Sequence, residues 1–259
     1  MGPAEGDPGV QAGTDTPGPM APLVVGLPHM SQDCLSWFAA RKISPATLLR
    51  NQITEEHLQM SKKHPEKEDA IVFPYLLRGK VTNKKFRTLG RRFASERRHQ
   101  SIWYGLDDIV NQDTIIIVEG EMDKLSMEEA GFTNVVSVPH GAPGVVKQGP
   151  LPEPCKDKAF AYVWNCWPAL EGAACILLAT DDDVPGHALA EELARRLGRD
   201  RCLRVSWADN APAAPGAISA APSKDANDVL IQRGPQGVQR CIQQAKPLPD
   251  RTQYLTAAN

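Results

Sequence analysis

Residues 175–186 read CILLATDDDVPG, an apolar run that ends in three consecutive aspartates, Asp181, Asp182 and Asp183, followed by a Pro-Gly pair. Adjacent like charges repel one another and resist desolvation, so three of them at the end of a buried-strand pattern call for either a solvated turn or a compensating cation. An upstream stretch, TIIIVEGEMDKLSMEEAG (114–131), has the same form: a β-branched run ends at Glu119 and passes into a helix pattern closed by Gly131. NVVSVPHGAPG is then a strand running into a Gly/Pro loop. After the aspartates, PGHALAEELARRLG stacks Leu189, Leu193 and Leu197 at i, i+4 and i+8, CLRVSW is a further strand, and SKDANDVLIQRG is a loop entering a helix. Repeated strand–helix units predict an α/β fold with a mainly parallel sheet flanked by helices.

The functional edge of such a sheet lies at the carboxyl ends of its strands. Glu119 and Asp181 each end a strand, so they are expected side by side although about 60 residues separate them. In extended backbone Asp181 and Asp183 project to one side and Asp182 to the other, which makes Asp182 the expected dispensable member. Glu119, Asp181 and Asp183 form an oxygen-rich cluster whose repulsion a hard cation, Mg²⁺ or Mn²⁺, would relieve. Asp225, in KDAND, is a candidate fourth ligand, and Asp123 lies one helical turn beyond Glu119. Lys224 either pairs with the cluster or faces solvent. Alone, EGE reads as a helix-capping pair and DDD before Pro-Gly as a turn; their joint occurrence at the ends of separate strands favours a metal site.

The net charge of −2 conceals a segregation: residues 78–98 carry nine Lys and Arg against Glu96, a local +8 that leaves −10 for the rest of the 259-residue chain. Such a segment can bind a polyanion or serve as a solvated face. AIVFPYLLRGKVTNKKFRTLG (70–90) reads as a hairpin turning near Gly79, with Val81, Asn83, Lys85 and Arg87 on one face of the second strand and Thr82, Lys84, Phe86 and Thr88 on the other. Ahead of it, SQDCLSWFAARKI and SPATLLRNQI are helices capped by Ser31 or Asp33 and by Ser44, with Leu35, Phe38 and Ala39 on one face of the first. Residues 1–30, with six Gly, six Pro and no Lys or Arg, are expected to be disordered, and residues 209–223 to form a mobile surface loop. Six scattered cysteines without a C-x-x-C pair exclude a zinc ribbon and suit a reducing compartment. No apolar run reaches the roughly 18 residues of a membrane span.

The three acidic stretches, IIIVEGEMDKLSMEEAGF, LLATDDDVPG and SKDANDVL, resemble the motifs of the Toprim domain shared by bacterial-type primases, topoisomerases and some nucleases. WYGLDDI, SVPHGAP and LAEELARRLGR are similar to the Twinkle family of phage-type primase-helicases in its plant and algal organellar form, over residues 43–246. The resemblance implies a Rossmann-like Toprim domain (111–246), preceded by a small mixed α+β basic subdomain (31–110) and followed by a tail (247–259). It implies Glu119, Asp181 and Asp183 as catalytic acids, with Asp225 completing a Mg²⁺ or Mn²⁺ ligand set and Asp123 and Lys224 in support. Lys84, Lys85, Arg87, Arg91 and Arg92 would hold nucleic acid or nucleotide, and Phe86, Phe93, Trp103 and Tyr104 either stack on bases or pack in the core. Asp182 stands where that family carries a small residue. The implied activity is synthesis of short RNA primers on single-stranded DNA from nucleoside triphosphates, in a mitochondrion or chloroplast, beside a replicative helicase or organellar DNA polymerase. No zinc ribbon and no G-x-x-x-x-G-K-[ST] nucleotide loop occur, so no unwinding is expected of this polypeptide. The alternative is a non-catalytic single-strand-binding accessory of a helicase. Nuclease or topoisomerase chemistry is disfavoured, because none of the four tyrosines has a recognisable context.

Overall fold

The computed structural model describes residues 30–61, 64–96, 100–208 and 222–248. The expected disorder of 1–30 therefore falls, apart from Met30, outside the described residues, as do most of the 209–223 loop, most of the tail, Arg97 and Arg98.

Helix α1 (Gln32–Ala39) starts where the Ser31 hydroxyl accepts the Cys34 N–H at 3.1 Å, and α2 (Pro45–Arg50) where Ser44 accepts that of Thr47 at 3.3 Å. The buried positions of α1 are Cys34 and Phe38, one turn apart, whereas Ala39, expected on the same face, is exposed. Four antiparallel strands follow in the order β1 (Thr54–Ser61), β2 (His64–Leu77), β3 (Lys80–Arg87) and β4 (Phe93–Ser95). The polar TEEHLQMS of β1 gave no strand signal; pairing with β2 along Thr54–Gln59 forms it.

The β2–β3 turn is Arg78–Gly79, both at positive φ (53° and 73°), as a tight two-residue hairpin requires. Both backbone N–H groups donate to the Asp107 carboxylate at 2.7 Å. Leu76 pairs with Val81 but Tyr75 with Asn83, so Thr82 is an extra residue on β3. This bulge resets the period-two alternation, and Val81, expected beside Asn83, Lys85 and Arg87, lies on the opposite face and is exposed.

The second sheet has the order β6-β5-β7-β8-β9 and is parallel except for its last pair. Its chain order is β5 (Thr114–Val118), α3 (Glu121–Glu129), β6 (Val135–Ser137), the short helices α4 (Ala161–Asn165) and α5 (Trp167–Leu170), β7 (Cys175–Ala179), α6 (Val184–Leu197), β8 (Cys202–Arg204), α7 (Ala226–Gln243) and β9 (Lys246–Pro247). Strand β9 straddles the boundary expected at 246 by pairing Pro247 with Leu203. Residues 115–118 of β5 and 176–179 of β7 are buried throughout, as a strand covered on both faces must be. Leu189, Leu193 and Leu197 of α6 are all buried.

One hydrophobic core runs through both halves, joining Phe38, Phe73 and Tyr75 of the first to Ile115, Leu178 and Leu193 of the second. Polar ties reinforce the junction: Asn227 donates to the Arg41 carbonyl (3.1 Å) and to Ser126 Oγ (2.9 Å), and the Ser44 N–H donates to Glu129 (2.7 Å). The segment between β6 and β7 is fastened to α6 by Arg196, whose Nε lies 2.6 Å from Asp157 and whose guanidinium covers the Phe160 ring at 3.7 Å.

Candidate active site

The candidate carboxylates lie at strand ends or at the starts of helices. Glu119 follows β5, and Asp123, in the first turn of α3, accepts the Gly120 N–H at 3.1 Å. Asp183 caps α6 by accepting the Gly186 N–H at 2.9 Å, and Asp225 caps α7 by accepting that of Asp228 at 2.7 Å. The turn after β7 is unusually close: a Cβ on residue 186 would stand 2.2 Å from the Asp181 carbonyl oxygen, so only glycine permits it. Thr180 closes the same turn by donating its hydroxyl to the Gly186 carbonyl at 2.7 Å.

Asp181 and Asp183 share a side, as the alternation predicted. Lys224 Nζ sits 3.0 Å from Asp181 and 3.8 Å from Asp183, brought there by a 2.7 Å backbone hydrogen bond from the Asp182 N–H to the Lys224 carbonyl. Asp182 points the other way and is not idle. Its carboxylate accepts from Arg204 (3.0 Å), the Ser206 hydroxyl (2.9 Å) and the backbone N–H groups of Trp207 and Ala208, and so holds the chain leaving β8. The expectation that Asp182 is dispensable is corrected for the fold: it is a staple between two strand ends.

Electrostatics set the four inward acids apart. Burial, then the charges of Asp181 and Asp183, push Glu119 up to about 7, and one of its carboxylate oxygens is buried with no hydrogen-bond partner. Burial raises Asp225 to about 6 and raises Asp181 against the pull of Lys224. Asp123 is likewise raised, by burial and then by Asp225 and Asp181. Carboxylates that suppress one another's ionisation in this way are a donor set short of positive charge. Among the described residues no three His, Cys, Asp or Glu side chains are already arranged to hold a metal ion; the cation present is the Lys224 ammonium.

A cleft of ≈ 340 Å³ separates this edge from the antiparallel sheet, with Glu119, Asp123, Asp181 and Lys224 on one side and Phe73, Arg87, Arg91 and Phe93 on the other. The five basic candidates divide. Arg87 and Arg91 line the cleft; Lys85 reaches across to Glu121 at 2.7 Å. Lys84 projects from the opposite face of β3 and pairs with Glu56 at 2.8 Å, while Arg92 pairs with Glu68, so neither is among the residues lining the cleft. Alternation separates Lys84 from its neighbours, as the sequence implied; nothing local revealed the acids that neutralise Lys84 and Arg92.

Two participants went unnoticed in the sequence. Glu121, buried at the start of α3, accepts from Tyr75 Oη at 2.6 Å besides pairing with Lys85, and thus ties the antiparallel sheet to α3. Its only signal was the second acid of EGE. Arg41, in the turn after α1, stacks its guanidinium 3.6 Å from the Trp37 ring centroid, and Arg87 lies 4.4 Å from the same ring. Burial, Arg41 and Arg91 together lower Arg87 to about 10, and one of its buried guanidinium nitrogens has no partner. Of the four aromatics, Phe86 packs with Val72 and Met60, and Trp103 and Tyr104 are core residues.

Residues 113–208 match the Toprim domain family. This chain carries a Toprim domain. Both acidic strand ends, Glu119 and Asp181, fall within the match, and Asp225 follows it. The chain is 45% identical over 225 residues to the "Primase homolog protein" of Arabidopsis thaliana and 43% identical over 225 residues to the "Twinkle homolog protein, chloroplastic/mitochondrial" of the same plant. Each alignment takes in 87% of this chain, but it spans only 63% and 30% of those two relatives. Among solved structures, the primase fragment of the bacteriophage T7 primase-helicase superposes with a TM-score of 0.58 at 20% identity, over 79% of this chain and 72% of that one. The Toprim domain here therefore shares its fold, together with the preceding antiparallel sheet, with phage primase.

Proposed function

We propose that this Toprim protein is a primase-type nucleotidyltransferase that makes short RNA primers on single-stranded DNA during organellar DNA replication. The observation that carries the proposal is the buried, unpartnered Glu119 oxygen among carboxylates of raised pKa, facing a wall of arginines. Glu119, Asp181, Asp183 and Asp225 would hold Mg²⁺ or Mn²⁺, which when bound makes an attacking primer hydroxyl more acidic and neutralises charge on departing pyrophosphate. Glu119 releases the proton it keeps to about pH 7 in the bare site, and Lys224 exchanges its place between Asp181 and Asp183 for solvent. Arg87 and Arg91 hold phosphate groups of the template or the nucleoside triphosphate opposite the acids, and Glu121 fixes Lys85 beside them. Asp123 holds the first turn of α3 in place through Gly120. Kinship with the chloroplastic/mitochondrial Twinkle homologue supports the organellar setting and, as partners, a replicative helicase or organellar DNA polymerase.

Primer synthesis on a mixed-sequence single-stranded template with Mg²⁺ or Mn²⁺ tests this reading. The Asp181→Ala/Asp183→Ala protein is expected to lose at least about 100-fold in rate, since it removes charge that acts on the transition state; equal rates would refute the catalytic assignment. A second reading is favoured by one observation, the Lys224 ammonium already standing between Asp181 and Asp183. It is that of a non-catalytic single-strand-binding accessory of a helicase. It predicts no synthesis by the unchanged protein, and strand binding that survives Asp181→Ala/Asp183→Ala but weakens in Lys85→Ala/Arg87→Ala.

A further inference from the structure

Four aromatic residues lie near the basic strands, and their environments divide them sharply. Trp103, Tyr104 and Phe86 are 0%, 2% and 9% exposed, whereas Phe93 is 57% exposed. Trp103 meets Tyr162 edge-on and Tyr104 packs against Phe73 and Tyr75, so these rings are consumed by the core. Phe93 instead begins the three-residue edge strand β4 and lines the cleft that holds Glu119 and Asp181. Its ring centroid stands 5.7 Å from both Lys85 Nζ and Arg87 Cζ. Beside it Arg87, 8% exposed, keeps a buried guanidinium nitrogen without a partner, and burial, then Arg41 and Arg91, depress its pKa against the pull of Glu121. A buried cation crowded by two others is costly unless an anion joins it. A planar apolar face next to crowded guanidinium groups, of which Arg87 keeps a nitrogen unpartnered, is the donor pattern that suits a nucleotide, with its π-face and its phosphate a few ångströms apart.

We propose that Phe93 is a stacking platform for a nucleobase whose phosphate is taken by Arg41, Arg87 and Arg91. The assignment rests on the primase-type reading of the cleft and adds to it a residue that reads the base as a surface rather than by hydrogen bonds, hence without marked sequence preference. Arg41, in the turn after α1, joins the phosphate contact from outside the basic strands.

The test compares ligands with and without bases, at fixed ionic strength. Binding of oligothymidylate, an abasic oligomer of equal length, ATP and inorganic triphosphate is measured for the unchanged protein, Phe93→Ala and Phe93→Trp. Phe93→Ala is expected to bind a base-bearing ligand about 10-fold more weakly and its base-free counterpart equally well, and Phe93→Trp to restore affinity. A loss confined to oligothymidylate assigns the base to the strand; one confined to ATP assigns it to the incoming nucleotide. Equal losses for base-bearing and base-free ligands, or no loss, overturn the platform while leaving the primase-type reading intact. If the unchanged protein binds none of the four ligands, that reading falls and the platform with it.

Discussion

Helix α3 separates two clusters of acids that differ in one respect, whether a cation is built in. On one side Lys124, fully buried, places its ammonium 2.7 Å from Asn51 Oδ1, 2.7 Å from Asp108 and against Glu128, with Arg50 adding bonds to the same two acids. On the other side Glu119, Asp123, Asp181 and Asp225 face one another, with the half-exposed Lys224 as the cation in direct contact, and all four are pushed toward the neutral form. The first cluster is complete and holds the fold. The second is left short of charge, and that deficit at a strand-end cleft is what the proposed metal site rests on.

The largest way to break this contrast is to remove the built-in cation. Lys124→Ala should destabilise the protein by about 3–5 kcal/mol, because the buried Glu128 and its neighbour Asp108 lose the one fully buried cation and keep only the exposed Arg50; urea unfolding followed by circular dichroism measures it. Next comes Asp182→Ala, which strips acceptors from Arg204, Ser206, Trp207 and Ala208 and should cost about 2–3 kcal/mol. Such a loss, in a protein that retains nucleotide binding, would separate the middle aspartate from its neighbours. By contrast Asp181→Asn/Asp183→Asn should leave the unfolding midpoint of the metal-free protein unchanged or slightly raised, since it relieves repulsion; a fall as large as that of Asp182→Ala would mean that these two are structural as well.

The smallest effect sharpens the comparison through pH. Glu119 has a folded pKa of about 7, above its ordinary 4.5, so its protonated form is favoured by folding. That contribution is complete below pH 4.5 and is lost as pH rises through 7; Asp225, at about 6, acts in the same direction. The metal-free protein is therefore expected to lose stability between pH 5 and pH 8, with a shallower slope in Glu119→Gln. Thermal melts with and without Mg²⁺ should diverge more at pH 8 than at pH 6, because protons compete for the same oxygens. Parallel melts at both pH values would count against metal binding by this cluster.

Much of this organisation was legible in the chain, and the reason is local. Strands β5 and β7 announce themselves as β-branched or apolar runs, and acids at their ends must sit at the carboxyl edge of a parallel sheet whatever the rest does. The serine caps of α1 and α2 and the Leu189–Leu193–Leu197 stripe are equally local. Less visible was whatever depends on pairing. Strand β1 carries too little apolar alternation to be seen without β2, and the Thr82 bulge, which turns Val81 away from Asn83, is a property of two strands in register rather than of either one.

The sequence by itself determined which acids reach the sheet edge and which member of the aspartate triplet faces away, because backbone alternation requires no partner. Only the tertiary structure decided what each charge meets. It gave Asp182 four donors from the end of β8, gave Lys84 and Arg92 acids of their own, placed Lys224 between Asp181 and Asp183, and left Glu119 and Arg87 with buried polar atoms unpaired on opposite sides of a cleft. Charge compensation is a matter of distance and burial between residues far apart in the chain, and neither quantity exists until the chain has folded.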